Sequence, residues 1–135
     1  MTIGISKVRG ISADVAKSLK AKGVTNSAKL LERSVGPKDR AALAAELGVD
    51  AKQVLELANR ADLARVKGIG KVFSDLLENA GVDTVKELSK RKPENLCQTM
   101  AEFNAKNNTA KRNATLAEVT DWINQAKALP ATLKY

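Results

Sequence analysis

The 135-residue chain contains no histidine and a single cysteine, Cys97. An internal disulfide is therefore excluded, as are the usual His/Cys zinc sites and every catalytic triad or dyad that needs an imidazole. Aromatics amount to 3%, in Phe73, Phe103, Trp122 and Tyr135. The interior must be built from aliphatic residues and alanine, which favours helices over a β-sandwich. No run approaches the roughly 20 apolar residues of a membrane-spanning helix, and Met1 to Gly10 lacks the apolar block of a signal peptide. A reducing, cytoplasmic setting is the expectation, with no cofactor.

What is present is charge and aliphatic bulk: 28% charged and 44% hydrophobic residues. That composition suits a compact soluble fold rather than a disordered chain. Lysine and arginine total 23 against 15 acidic residues, a net charge of +8. The excess is spread over both halves, with 12 basic and 7 acidic residues in 1–65 and 11 and 8 in 66–135. A polyanionic partner fits such a balance, although a positive excess also serves solubility alone.

The main organising feature is an internal repeat. Val8, Gly10, Ile11, Leu19, Gly23, Val24 and Leu30 recur, each 58 positions later and without a gap, as Val66, Gly68, Ile69, Leu77, Gly81, Val82 and Leu88. These are glycines and large aliphatics, the residue types that set backbone turns and core.

Helix ends are legible at the same places. Gly23-Val24, Gly48-Val49 and Gly81-Val82 read as left-handed stops followed by an apolar residue that folds back, Val24 on Leu19 and Val82 on Leu77. Thr84-x-x-Glu87 and Thr115-x-x-Glu118 read as capping boxes, Asp50-x-x-Gln53 as a looser one, and Pro37 and Pro93 suit first turns. The pattern predicts helices near 12–22, 26–33, 37–47, 51–64, 70–80, 84–91, 93–106 and 115–128, with a polar loop over 104–113. No alternating strand pattern is present, so the fold class is all-α. Two tandem helical hairpin units are expected, residues 1–62 and 63–135, packed into one compact body.

The most informative segment is Arg65-Val-Lys67-Gly68-Ile69-Gly70-Lys71, followed by Ser74. Helix, Gly-hydrophobe-Gly turn, then helix with a small residue four after the last glycine is the pattern of a helix-hairpin-helix. The glycines permit the tight turn, Ile69 plugs it, and Ser74 allows close approach. Such a turn leaves the amides of Gly68, Gly70 and Lys71 at a helix N-terminus, where free N–H groups and the positive dipole end favour an oxyanion. Arg65, Lys67 and Lys71 add cations. DNA phosphate is the expected ligand, held without reading sequence. Packing alone would equally account for such a hairpin.

The first copy, Val8-Arg9-Gly10-Ile11-Ser12, replaces the second glycine by serine, which can simply cap a helix, and puts Asp14 in the first turn. Lys7, Arg9 and Gly10 are its candidate contacts. Lys90-Arg91-Lys92 forms a basic cluster before Pro93 that can meet phosphate, though cations also suit helix C-termini. Cys97 and Trp122 read as core residues, and the scattered acidic side chains converge on no metal site, so no catalytic residue is expected.

Taken together, Val66-Lys-Gly-Ile-Gly70, Ala80-Gly-Val-Asp-Thr-Val-Lys-Glu-Leu88, Arg91-Lys-Pro-Glu-Asn-Leu96, Trp122-Ile-Asn-Gln-Ala-Lys-Ala-Leu129 and the entering Asn59-Arg-Ala-Asp-Leu63 make the chain resemble a bacterial helix-hairpin-helix family, domain of unknown function 4332. The likeness runs from about Ile5 to Pro130. It implies the helical hairpin fold, with kinship to the hairpins of DNA-repair and polymerase-associated proteins, a fold-level analogy. The expected function is non-catalytic, sequence-nonspecific binding of DNA through its phosphate backbone, with neither a membrane nor a small-molecule substrate as partner. The alternative is a protein-interaction or scaffold module, acting by self-association or on a protein partner, in which the hairpins are structural.

Overall fold

A computed structural model describes residues 2–8 and 10–134. Among the described residues eight α-helices follow a short 3-10 turn at Ile5–Lys7: α1 Ala13–Ala21, α2 Ser27–Glu32, α3 Pro37–Leu47, α4 Ala51–Leu63, α5 Lys71–Asn79, α6 Val85–Ser89, α7 Pro93–Asn107 and α8 Leu116–Ala128. The described residues contain no strand, only an isolated antiparallel bridge between Gly4 and Asn26. The protein is all-helical, and each helix lies within two residues of its predicted position. None of the helices in the described residues is long and apolar enough to cross a membrane.

Local chemistry explains the boundaries. Asn26 Oδ1 accepts from Lys29 N–H at 2.9 Å and starts α2, while Thr84 Oγ1 accepts from Glu87 N–H at 3.2 Å and starts α6. The two caps lie 58 residues apart. At the C-terminus of α1, Val24 N–H reaches Leu19 C=O at 2.9 Å, and at that of α5 Val82 N–H reaches Leu77 C=O at 2.8 Å. This six-to-one bond, with Gly23 and Gly81 left-handed between, satisfies a carbonyl that the helix end would otherwise orphan.

The first compact unit comprises Thr2–Arg65 and residues 132–134. In it α4 packs on α2 and α3, and α1 on α3. Ile5, Leu19, Leu30, Leu43 and Val54 form the centre of its core, each at most 1% exposed. The second unit is Val66–Ala131, in which α8 packs on α6 and α7, and α5 on α7. Its buried side chains include Val66, Ile69, Leu76, Leu77, Leu88, Leu96, Met100, Trp122 and Ile123.

The first unit ends at Arg65, and residues 132–134 close on it. The cause is a set of long-range polar contacts. Buried Arg40 donates from Nη1 to the carbonyls of Ser34 and Val35, each at 3.0 Å, and from Nη2 to Lys134 C=O at 2.8 Å. Lys134 N–H donates to Val35 C=O at 2.8 Å, and Leu133 lies against the core.

The polar stretch predicted as a loop over 104–113 is partly helix, since α7 runs on to Asn107 and ends at left-handed Asn108, with φ +50°. The remaining loop is organised from within. Asn104, buried in the last turn of α7, accepts from Ala110 N–H at 2.7 Å and donates to Asn113 Oδ1 at 3.0 Å.

Candidate functional site

The turn that enters α5 carries several unused donors. Gly68 has φ +96°, a left-handed conformation that a residue with a Cβ adopts only with strain. Ile69 donates its N–H to Val66 C=O at 3.4 Å and is buried, while Lys67, Gly68, Gly70 and Lys71 are all exposed. Gly70 is the N-cap of α5, and no side chain caps that helix. None of the hydrogen bonds among the described residues uses the N–H of Gly68, Gly70 or Lys71. Three main-chain donors of exposed residues therefore stand without acceptors at the positive end of a nine-residue helix.

The first turn shares a left-handed glycine and one backbone hydrogen bond with the second but has a different end. Ile11 N–H donates to Val8 C=O at 3.2 Å, and Gly10 has φ +86°. There Ser12 caps α1, its Oγ accepting from Val15 N–H at 3.2 Å. Fifty-eight residues on, Gly70 has no oxygen to offer the equivalent Phe73 N–H. Serine gives the third-position donor of its helix an acceptor, Val15 N–H, and glycine leaves the equivalent Phe73 N–H without one. Lys7 and Gly10 are exposed at the first turn, beside an open cleft of about 440 Å³ lined by Ser6, Ile11, Ser12, Ala16, Lys17 and Lys20. Arg9 lies outside the described residues.

The remaining basic candidates divide by what they hold. Arg65 belongs to the first unit, where Nη1 pairs with Asp62 Oδ1 at 2.8 Å; the two side chains are 17% and 5% exposed. That guanidinium is committed to a buried carboxylate. Arg91 reaches back across the end of α5: Nη1 donates to Ala80 C=O at 3.3 Å, Nη2 to Gly81 C=O at 3.1 Å and Nε to Glu87 at 3.1 Å. It serves as a side-chain cap on the two carbonyls that follow the last helical residue. Lys90 and Lys92 are exposed on either side of it.

Two residues of α8 hold the second turn in place, and neither was among the sequence candidates. The Gln125 amide accepts Lys67 N–H at 2.8 Å through Oε1 and donates to Lys67 C=O at 3.0 Å through Nε2, a two-point clamp on the backbone of one residue. Nε2 also donates to Asp121 at 2.8 Å. One turn earlier on α8, Trp122 lies beneath Gly68 so closely that a Cβ there would stand 2.9 Å from the indole Nε1. Trp122 in turn contacts Phe73, centroid to centroid 5.4 Å, and the Arg112 guanidinium covers the Phe73 ring at 5.1 Å. The sequence signal was their shared membership of the family-like pattern, in which Trp122 to Leu129 accompanies Val66 to Gly70.

Arg112 is in turn held by a bidentate pair to Glu118, at 2.7 and 2.9 Å. The Arg112 hydrogen bond, helped by the Thr115 backbone N–H, lowers the Glu118 carboxyl from the model-compound 4.5 to about 2. No group of three or more acidic or cysteine side chains that could hold a metal occurs among the described residues. Cys97 is half-buried, with its thiol on Ala114 C=O at 3.5 Å.

Residues 9–129 match the model of a protein family described as a domain of unknown function, DUF4332. No curated protein and no solved structure matches the chain.

Proposed function

The chain belongs to the DUF4332 family, and from that premise we propose that it is a non-catalytic, sequence-nonspecific DNA-binding protein carrying two helix-hairpin-helix units in tandem, the second of which holds the phosphate backbone. One observation carries this reading: the N–H groups of the exposed residues Gly68, Gly70 and Lys71 at the start of α5 have no acceptor of their own among the described residues. A phosphate oxygen supplies that acceptor. It is stabilised by charge-assisted bonds from main-chain N–H groups and by the dipole of α5. Exposed Lys67 and Lys71 flank the turn and add point charges. Contacts of this kind fix a duplex by its backbone and leave the bases unread.

The test is affinity for a short DNA duplex of arbitrary sequence over a series of salt concentrations. Binding through two or three phosphates predicts a slope of log K against log salt of about −2 to −3, and the same affinity for unrelated sequences. Gly70→Ser is the matching variant. A Cβ at Gly70 meets nothing within 4 Å, and the added hydroxyl can take Phe73 N–H as Ser12 takes Val15 N–H. The variant should fold at least as stably as the parent and bind DNA several-fold more weakly. Absence of binding at low salt would refute the proposal and leave the turns as packing devices of a scaffold.

A further inference from the structure

The indole of Trp122 is 1% exposed, yet its N–H has no hydrogen-bond partner among the described residues. Its nitrogen is not fully sealed and keeps a narrow contact with solvent. Buried tryptophans ordinarily find an acceptor for this donor. The direction of the N–H follows from three distances. An ideal Cβ on Gly68 would lie 2.9 Å from Nε1 but 3.7 Å from Cδ1 and 3.9 Å from Cε2. A point stacked over the ring would be almost equally far from all three atoms. A point ahead of the N–H bond is nearer to the nitrogen by about the margin seen. The donor is therefore aimed at the bare side of Gly68, two residues before the uncapped start of α5, and only a residue without a side chain leaves it uncovered.

We infer that Trp122 Nε1–H is a ligand-binding donor of the second turn, giving a hydrogen bond to a phosphate oxygen seated over Gly68 alongside the free amides of the turn. The inference rests on the anion-binding reading of that turn and adds to it a side chain on a distant helix. Water could also accept from the indole, but the positive end of α5 and the exposed Lys67 and Lys71 favour an anion there. The arrangement explains why Gln125 clamps Lys67 from the same helix face: α8 carries both the donor and the brace that keeps the turn over it.

Trp122 is the only tryptophan of the chain, so its indole ¹H–¹⁵N resonance and its fluorescence each report on this one atom group. The experiment titrates the full-length ¹⁵N-labelled protein with a short DNA duplex and, separately, with inorganic phosphate. Expected are a downfield move of the indole resonance with saturation, slower exchange of its proton with water, and about tenfold weaker DNA binding by Trp122→Phe. Because that variant loses part of the core, its fold is checked by circular dichroism, and the wild-type resonance stands independently of it. If DNA binds and shifts the backbone amides of Gly68, Gly70 and Lys71 while the indole resonance stays still, the inference is overturned and the DNA-binding reading survives. If phosphate moves the indole and DNA moves nothing, the donor role stands and the DNA-binding reading falls. If neither ligand moves any of these resonances at low salt, both are overturned.

Discussion

Replacing Gly68 by alanine tests the close approach of Trp122 against an internal control at Gly10. The two glycines occupy equivalent places, with φ +96° and +86°. Each Ala variant pays a left-handed strain of about 1–2 kcal/mol, and the loss of chain entropy in the unfolded state is common to both. The surroundings differ. A Cβ at Gly10 meets nothing within 4 Å, whereas at Gly68 it would stand 2.9 Å from Trp122 Nε1, nearer than real Cβ contacts come. The indole cannot withdraw cheaply, since it is 1% exposed and lies against Phe73. Overpacking of this kind adds about 1–3 kcal/mol. Gly10→Ala should therefore lose about 1–2 kcal/mol, and Gly68→Ala about 2–5 kcal/mol. Urea unfolding followed by far-UV circular dichroism reads both variants, and Trp122 fluorescence reads the second unit alone. Equal losses at the two positions, within about 0.5 kcal/mol, a typical limit for separating independent sites, would refute the reasoning.

Other perturbations reach other parts of the molecule. Arg40→Met removes the donor that satisfies the carbonyls of Ser34, Val35 and Lys134; loss of about 2–4 kcal/mol is expected from the first unit, together with faster proteolysis of the C-terminal residues, and an unchanged urea midpoint would contradict that role. Gln125→Ala opens the two-point clamp on Lys67 and should cost about 1 kcal/mol at this partly exposed site, with the amide of Lys67 exchanging faster; unchanged exchange would show that the clamp does not hold. Glu118 has a depressed pKa in the fold, about 2 against 4.5. Its contribution to stability is therefore complete above pH 4.5 and is lost as pH falls toward 2. Glu118→Gln keeps an acceptor for the capping box at Thr115 but not the charge, so its stability should fall less steeply than the parent's over that interval; parallel pH profiles would exclude the pair as a contributor.

How far the turn could be read in advance depends on the range of each interaction. The Gly-Ile-Gly signature located Gly68 and Gly70, because their demands are local: a left-handed backbone and an uncapped helix start. The contrast between Ser12 and Gly70 was equally visible as a one-residue difference between aligned segments. The same rules were silent on Gln125, 58 residues from the peptide it clamps, and on the direction of the Trp122 N–H. Periodicity marks Trp122 as core, but the edge of the indole that meets the turn depends on how α8 packs. Arg65 and Arg91 show the opposite limit. Both are basic neighbours of turns, as read, yet Asp62 and the carbonyls of Ala80 and Gly81 engage their guanidinium groups.

Composition and local pattern alone determined an all-helical chain, the places of the helices seen among the described residues and the caps at Thr84 and Thr115, since each of those choices is made among residues three to five apart. Tertiary structure decided the rest: that residues 132–134 close on the first unit through Arg40, that Arg91 caps α5, and that α8 supplies both brace and indole donor beneath the second turn. The physical reason is that hydrogen-bond partners distant in sequence are selected by packing, where burial leaves each donor only the acceptors its neighbours bring, and a one-dimensional pattern contains no record of which neighbours those will be.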